Sequence, residues 1–269
     1  MITGRTRVLA ILGDPVRHSV SPAMHNAAIR ALGLDAVYVA LAVPVPAIGS
    51  VLGSLVSLQV AGNVTVPHKA AAYRAVDHLT ELARVSGAVN TFWVAEGALH
   101  GDNTDVAGVL EATRAMRAPG PWVLAGTGGS ASAVALAAAA EGVALRVRSR
   151  EPERAVAFAA WAHERGVDAA PDDQGSAGTL INATPLGLTG NDALPFPPER
   201  LTRAAAVLDL VYAPGGTPLV RAARKSGLRA ADGRGVLVGQ GAAAFERFFP
   251  GVVAPRDIMR AAVERALTP

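Results

Sequence analysis

The fold is indicated by one stretch, Trp122-Val123-Leu124-Ala125-Gly126-Thr127-Gly128-Gly129-Ser130-Ala131. Apolar residues pass directly into a glycine-rich turn and then into an alanine-rich segment that ends near Gly142. A G-x-G-x-x-A pattern between a strand and a helix is typical of dinucleotide binding, because glycines allow the close approach of a pyrophosphate to the helix N-terminus. The candidate cofactor-binding residues are therefore Gly126, Thr127, Gly128, Gly129, Ser130 and Ala131. Methyltransferases share glycine-rich turns, so the pattern alone leaves that class open.

Basic residues follow the next strand, which we predict over residues 144–148. An NAD site would place an acidic residue at this strand end to bind the ribose 2′-hydroxyl. Arg148, Arg150 and Arg154 occur here instead, and guanidinium groups suit a 2′-phosphate. The segment favours NADP(H) over NAD, although Glu151 could bind a ribose hydroxyl, and a solvated charged turn is the alternative.

The alternation of strands and helices begins after a proline-rich linker at residues 117–121 and continues beyond residue 148. We predict strands at residues 179–182 and 205–211, with Tyr212 at the end of the second, where a lone aromatic residue is more often packing. A further helix is predicted to open at Gly239-Gln240-Gly241, and a last helix covers residues 256–266. This pattern predicts a doubly wound parallel sheet.

A second informative stretch lies in the N-terminal half: Gly62-Asn63-Val64-Thr65-Val66-Pro67-His68-Lys69. Its β-branched residues favour a short buried strand, and Pro67 prevents that strand from continuing. Lys69 is then expected in the first turn of the next helix, at the end of the sheet that faces the ligand crevice in open α/β folds. The helix dipole disfavours an ammonium there, which suits a lysine that exchanges a proton.

Ser19 and Ser21 lie between the first predicted strand, residues 7–12, and the helix that follows it. Ser21 precedes Pro22 and is a good N-cap, so one interpretation makes Ser21 a plain cap and Ser19 a solvated loop residue. The other interpretation has both hydroxyls holding a small anion together with backbone N–H groups.

One acidic residue follows a predicted hairpin. Residues 90–100 are expected to form two strands that turn at Glu96-Gly97. Asp105 then lies near the N-terminus of an amphipathic helix, where the dipole favours a carboxylate. It is either a functional carboxylate or an ordinary first-turn acidic residue.

Composition narrows the class of protein. The 269 residues are 51% apolar and 17% charged, which predicts a globular chain of one or two domains. With no cysteine, disulfides, thiolate catalysis and cysteine metal sites are excluded, and a cytoplasmic location is expected. A net charge of +3 with 4% aromatic residues argues against a nucleic-acid partner, and no apolar run suits a membrane span or a signal peptide. The six histidines show no metal-binding spacing.

Eight motifs occur in an order that resembles the shikimate dehydrogenases, over nearly the whole chain. They are Gly13-x-Pro15 through His18-Ser19-x-Ser21-Pro22 with His25-Asn26, Gly62-Asn63-Val64-Thr65-x-Pro67-x-Lys69, Gly87-Ala88-Val89-Asn90-Thr91, Gly101-x-Asn103-Thr104-Asp105, the glycine turn 126–131, Asn182-Ala183-Thr184, Asp209-x-x-Tyr212-x-Pro214, and Gly239-Gln240.

The resemblance implies reversible NADPH-dependent reduction of 3-dehydroshikimate to shikimate, on the route to chorismate and the aromatic amino acids. It implies Lys69 and Asp105 as the catalytic pair. It also implies that the substrate carboxylate is bound by Ser19, Ser21 and Tyr212, and that ring hydroxyls are held by Thr65, Asn90 and Gln240. The remaining cofactor-binding residues that it implies are Ser149, Arg150, Arg154, Thr184 and Gly239.

The expected fold class is α/β with two domains. An α/β substrate-binding domain takes residues 1–106 and 240–269, and a Rossmann-type doubly wound NADP-binding domain takes residues 107–239. The expected partner is a small-molecule substrate, with no nucleic acid and no membrane, in a monomer or homodimer.

One departure from the family pattern and two rival functions remain. Similar enzymes usually carry Asn-Arg-Thr where this chain has Ser149-Arg150-Glu151, which bears on the strictness of the NADP preference. The nearest rival is a quinate/shikimate dehydrogenase that uses NAD. A rival of another class is a non-catalytic sensor that binds NADP and a cyclohexene carboxylate.

Overall fold

The computed structural model describes residues 2–175, 177–188 and 192–268. The chain divides into two compact units, one formed by Met1–Asp105 with Leu237–Ala266 and the other by Val106–Val236 with Leu267–Pro269. Within the described residues, no helix has the length and apolar character needed to cross a lipid bilayer.

The strands, in chain order, are β1 Arg7–Gly13, β2 Ala36–Ala42, β3 Ala61–Val64, β4 His78–Leu79, β5 Thr91–Ala95, β6 Ala98–Asp102, β7 Trp122–Ala125, β8 Leu145–Arg148, β9 Ala169–Pro171, β10 Ala177–Asn182, β11 Ala204–Asp209 and β12 Arg229–Ala231. The helices are α1 Ser21–Ala31, α2 Ile48–Ser57 after a 3₁₀ turn at Val45–Ala47, α3 Lys69–Ala75, α4 Glu81–Ser86, α5 Asp105–Met116, α6 Gly129–Glu141, α7 Pro152–His163, α8 Pro198–Leu201, α9 Pro218–Lys225, α10 Arg234–Phe248 and α11 Arg256–Ala266.

The second unit contains a parallel sheet in the order β12-β11-β10-β7-β8-β9. Counted within the unit, this is the 3-2-1-4-5-6 order of a doubly wound Rossmann sheet. Every residue of β7 and β10 is buried, as expected of strands covered on both faces. The alanines of α6 pack closely against this sheet because they carry no bulk beyond Cβ. The predicted α/β class with a Rossmann-type domain is confirmed.

The first unit contains a mixed sheet in the order β2-β1-β3-β5-β6-β4. β1 pairs in parallel with β2 and β3, whereas β5 runs antiparallel to β3 and β6. The predicted hairpin is confirmed: Glu96 and Gly97, with φ of 52° and 75°, form the two-residue turn between β5 and β6. The sequence analysis missed the short strand β4, which has two residues.

The glycines near residue 240 do not open a helix, which corrects the sequence prediction. Helix α10 already begins at Arg234, and Gly239 and Gly241 lie inside it. A glycine inside a helix costs about 1 kcal/mol relative to alanine. Packing explains the glycine at position 241, because a Cβ there would lie 2.2 Å from Cε of the buried Met24.

Two other predictions in the first unit are wrong in detail. Ser21 is the first residue of α1 and not its cap, since Val20 precedes the helix and its carbonyl already accepts from the Met24 N–H at 3.1 Å. Strand β3 ends at Val64, two residues earlier than expected, because the His68 N–H closes a turn onto the carbonyl of Thr65.

His25 is a buried histidine among aromatic rings. Its ring stacks on Tyr38 with centroids 4.3 Å apart and lies 6.1 Å from Phe245. The side chain is fully buried, and neither ring nitrogen has a hydrogen-bond partner among the described residues. Burial disfavours the charged form and lowers the pKa of His25 from 6.5 to about 3.

This burial predicts an acid sensitivity of folding. Because the pKa of His25 is lower in the folded than in the unfolded chain, its contribution is complete above pH 6.5 and is lost as the pH falls toward 3. We expect His25→Phe to remove this loss while keeping an aromatic ring in the stack. Between pH 7 and pH 4, the free energy of unfolding should fall by about 3 kcal/mol more in the wild type than in the variant.

Urea unfolding at a series of pH values measures this difference. The exposed His18, changed to Gln, is the matched control and should follow the wild type. A His25→Phe protein with the wild-type pH dependence would contradict the prediction.

Candidate active site

The site in the first unit begins where the order of its parallel strands reverses. β1 lies between β2 and β3, and Leu12 at its carboxyl end is in register with Val64 at the end of β3. Connections that leave two such strands in opposite directions open a crevice at a topological switch point. The segments before α1 and α3 lie at this edge.

Lys69 and Asp105 are brought together although they are 36 positions apart in sequence. Lys69 is the first residue of α3 and Asp105 the first of α5. The Lys69 ammonium donates to Oδ2 of Asp105, and each side chain is 14% exposed. A helix N-terminus favours an anion and disfavours a cation, so the dipole of α3 is unfavourable for the Lys69 ammonium. The negative charge of Asp105 offsets this effect. The pair presents a proton donor and an acceptor to a ligand at the same place.

Asn90 and Gln240 extend this pair. Asn90 Nδ2 donates to Oδ1 of Asp105 at 2.8 Å and to Oε1 of Gln240 at 3.3 Å. Gln240 lies inside α10, and its Nε2 donates to the carbonyl of Leu237 at 3.1 Å. These four predicted site residues therefore form one connected group within the first unit.

The predicted anion-binding serines and Thr65 lie at the strand ends described above. Ser19 Oγ accepts from the Ser21 N–H at 3.2 Å, which fixes the loop ahead of α1. Thr65 is tied to β1 through its N–H, 2.8 Å from the carbonyl of Leu12. Its methyl group lies over Gly13, where an added Cβ would be only 2.4 Å away. Ser19 and Thr65 are partly exposed, and Ser21 is buried.

In the second unit, the glycine turn lies at the switch point between β7 and β10. Gly126 has φ of +112°, and a Cβ there would lie 3.0 Å from the carbonyl oxygen of Ala183. Gly128 precedes α6 and has open space where a side chain would be. Thr184 is held at the end of β10 by its hydroxyl, which donates to Oδ1 of Asn182 at 2.7 Å. This open glycine cradle at the N-terminus of a 13-residue helix fits a pyrophosphate.

The basic segment after β8 separates into two kinds of arginine. Arg150 and Arg154 are exposed, and Arg154 pairs with Glu151 at 3.5 Å. Ser149 Oγ accepts from the Glu151 N–H at 3.3 Å, which shapes the turn. Arg148 instead lies over the ring of Phe196 at 5.4 Å, and burial is the main cause that lowers its pKa. Arg148 is therefore a packing residue, whereas Arg150 and Arg154 remain open to a ligand phosphate.

Two predicted site residues lie in a different unit from the residues with which they were expected to bind a ligand. Tyr212 is partly buried just after β11, in the second unit, whereas Ser19 and Ser21 are in the first. Gly239 is buried inside α10 in the first unit, whereas the glycine turn is in the second.

Sequence reasoning missed the polar groups behind Asn90. Thr91, Thr104 and Asn63 are buried and form hydrogen bonds around it. The available signal was the number of polar residues in stretches that otherwise predict buried strands. A polar group that is buried needs a partner, so such residues indicate a network.

Asp102 is another missed residue, at the end of β6. Its Oδ1 accepts from the Thr80 hydroxyl at 2.5 Å and from the Asn103 N–H at 2.8 Å. Its Oδ2 accepts from Nε and Nη2 of Arg247, both at 3.0 Å. The side chain of Asp102 is 4% exposed. It therefore holds the segment that leads from β6 to Asp105.

Comparison with known proteins identifies relatives along the whole chain. Residues 11–92 match the family described as Shikimate dehydrogenase substrate binding domain, and residues 233–264 match Shikimate 5'-dehydrogenase C-terminal domain. The chain is 42% identical over 279 residues to the shikimate dehydrogenase (NADP(+)) of Rhodospirillum rubrum, covering 98% of this chain and 99% of the relative. It is 44% identical over 276 residues to that of Rubrobacter xylanophilus, covering 97% of each.

A solved structure is similar in fold. Shikimate 5-dehydrogenase from Thermus thermophilus, in complex with NADP(H) and shikimate, has a TM-score of 0.88 and 38% sequence identity. The similarity covers 97% of this chain and 99% of that one.

The hydrogen bonds of Asp102 predict a loss of stability on its replacement. Asp102→Asn keeps the shape but removes the charge and places an N–H₂ group against a guanidinium or a buried donor. Arg247 is half exposed, so we expect a loss of about 2 kcal/mol in the free energy of unfolding, measured in urea. Glu81→Gln, which breaks an exposed ion pair with Arg84, should cost less than about 1 kcal/mol. Equal costs for the two variants would contradict this role of Asp102.

Proposed function

This chain belongs to the shikimate dehydrogenase family, and on that premise we propose that it catalyses the reversible reduction of 3-dehydroshikimate to shikimate with NADPH. The observation that carries the proposal is the ion pair of Lys69 with Asp105, held from the far side by Asn90. We propose that the enzyme works as a monomer or homodimer in the cytoplasm.

The reaction needs a hydride at the carbonyl carbon and a proton at the carbonyl oxygen. The nicotinamide cofactor, when bound, supplies the hydride. Lys69 as an ammonium polarises the ketone and donates the proton to its oxygen. Asp105 orients the ammonium and stabilises its charge, and in the reverse direction the same pair receives the proton. General acid–base catalysis of this kind contributes a factor of roughly 10²–10⁴ in rate.

We assign substrate binding in the first unit by the chemistry of its polar groups. The hydroxyls of Ser19 and Ser21 bind the carboxylate, together with N–H groups near the start of α1. Thr65, Asn90 and Gln240 bind ring hydroxyls. Neutral hydrogen bonds are weaker than an arginine fork but depend strongly on geometry, so they favour one placement of the ring.

We assign the cofactor to the second unit. The turn from Gly126 to Ala131 binds the pyrophosphate, with Thr184 beside it. Arg150 and Arg154 bind the 2′-phosphate, because both are exposed at the end of β8. The ion pair with Glu151 is an exposed one, and such pairs contribute little, so Arg154 can turn to a ligand phosphate.

Removal of the ammonium tests the catalytic assignment. Lys69→Ala should lower kcat by roughly 10²–10⁴-fold, because the proton donor is lost. Binding of shikimate, measured by calorimetry, should stay near the wild-type value. The only other lysine, Lys225, is exposed at the end of α9, and Lys225→Ala is the control that should retain wild-type kinetics. An unchanged kcat in Lys69→Ala would refute the catalytic role.

A two-substrate, two-cofactor assay tests the specificity. We expect the largest kcat/KM for shikimate with NADP, because the 2′-phosphate gains charge-assisted hydrogen bonds from arginine. Comparable turnover of quinate with NAD would make the chain a quinate/shikimate dehydrogenase. Binding of shikimate and NADP without turnover would make it a sensor.

A further inference from the structure

We infer that Thr91 and Thr104 are positioning residues that fix which end of the Asn90 amide faces Asp105; this inference rests on the proposed function. An asparagine can present either its oxygen or its N–H₂ group to a neighbour. Only the N–H₂ end can donate to a carboxylate. The oxygen end would place an acceptor against the acceptor oxygens of the Asp105 carboxylate.

The backbone of Thr104 sets the orientation. Its N–H lies 2.8 Å from Oδ1 of Asn90, and a backbone N–H can only donate. The atom that faces it must therefore be the amide oxygen. The N–H₂ group of Asn90 then points to Asp105, 2.8 Å away.

The two threonine hydroxyls reinforce this orientation. Thr91 Oγ1 is 2.9 Å from Oδ1 of Asn90, and Thr104 Oγ1 is 3.1 Å from the same oxygen. The hydroxyls are 2.8 Å from each other. If Thr104 donates to Thr91 and Thr91 donates to Asn90, each proton has an acceptor. The amide oxygen then accepts from the Thr91 hydroxyl and the Thr104 backbone together.

One part of this arrangement, the hydrogen bond that Thr91 accepts, is determined from outside the group. Asn63 Nδ2 donates to the backbone carbonyl of Asn90 at 3.1 Å and to Thr91 Oγ1 at 3.0 Å. A carbonyl can only accept, so the amide nitrogen of Asn63 faces it, and its Oδ1 accepts from the Tyr38 hydroxyl at 2.7 Å. Burial raises the pKa of Tyr38 well above 10, so that hydroxyl keeps its proton. Thr91 therefore accepts from Asn63, and its own proton is available to Asn90, directly or through the Thr104 hydroxyl.

The group is shielded from water. Thr91 is 0% exposed, and Asn90, Thr104 and Asn63 are 2%, 3% and 4% exposed. Reversal of the Asn90 amide would place its N–H₂ group against the Thr104 N–H and leave buried groups without partners, which is strongly unfavourable away from water. The hydroxyls therefore act on Asp105 through Asn90, because they keep the N–H₂ group of Asn90 directed at its carboxylate.

The test compares the pH dependence of kcat/KM for shikimate oxidation with NADP in the wild type and four variants. Thr91→Val and Thr104→Val each remove a hydroxyl at nearly constant shape, and Thr91→Ser restores the hydroxyl. Thr113→Val is the matched control, because Thr113 is a buried threonine whose hydroxyl bonds the carbonyls of Val109 and Leu110 in α5. The acid limb of kcat/KM reports the group of the free enzyme that must be unprotonated for turnover, which the proposed function assigns to the Lys69–Asp105 pair.

We expect Thr91→Val to lower kcat/KM by about tenfold and to move the acid limb upward by about half a pH unit or more. Thr104→Val should move the limb in the same direction by a smaller amount, because the Thr91 hydroxyl and the Thr104 backbone N–H still donate to Asn90. Thr91→Ser and Thr113→Val should retain the wild-type limb. A merely structural role lowers the amount of active enzyme without moving the limb. Valine variants with an unmoved limb, or a serine variant that behaves like valine, would overturn the inference.

Two further outcomes are distinguishable. If Thr91→Val does not fold, Thr104→Val decides the matter, because it keeps the backbone donor and all the hydrogen bonds of Asn63. A wild-type protein without shikimate dehydrogenase activity would refute the proposed function itself. Active wild type with unmoved limbs in the valine variants would refute only the role of the threonines.

Discussion

The hydrogen bonds of Asn90 join the fold of the first unit to its chemistry. The backbone carbonyl of Asn90 accepts from the N–H of Val64 at the end of β3. The backbone N–H of Asn90 donates to the carbonyl of Asp102 at the end of β6. The side chain of the same residue donates to Asp105. The pairing of the strands therefore sets the position of the carboxylate, and a shift in register by one residue would turn Asn90 away from it. The geometry of the proposed catalytic pair requires no separate scaffold, because the sheet itself provides it.

Both units apply one rule of α/β architecture. Each places its polar loops where the strand order reverses, between β1 and β3 in the first unit and between β7 and β10 in the second. The first switch point carries hydroxyls and a lysine, which suit a small polar ring. The second carries a glycine turn at a helix N-terminus, which suits a phosphate chain. The same topological feature therefore suits two different ligands through different side chains.

The sequence was sufficient where local chemistry decides the structure. The turn at Glu96-Gly97 and the glycine cradle after β7 depend on neighbouring residues, and both were predicted. The interior position of Gly241 in α10 was not, because Gly241 is required by its contact with Met24, at the other end of the chain. The network behind Asn90 was also missed, since its hydrogen bonds join residues that only the register of β3, β5 and β6 brings together. Local patterns contain no information on such pairings.

The ion pair of Asp102 with Arg247 spans 145 positions of the chain. A ribosome that makes this protein at about 5–20 residues per second completes Val106–Val236 before it reaches Arg247. The Rossmann-type unit can therefore acquire its native form during translation. The unit that carries the lysine and the carboxylate must wait for its last two helices, and until then its sheet lacks the guanidinium that neutralises a buried charge. During synthesis, residues 106–236 can therefore mature before the unit that holds Lys69 and Asp105, which needs α10 and α11.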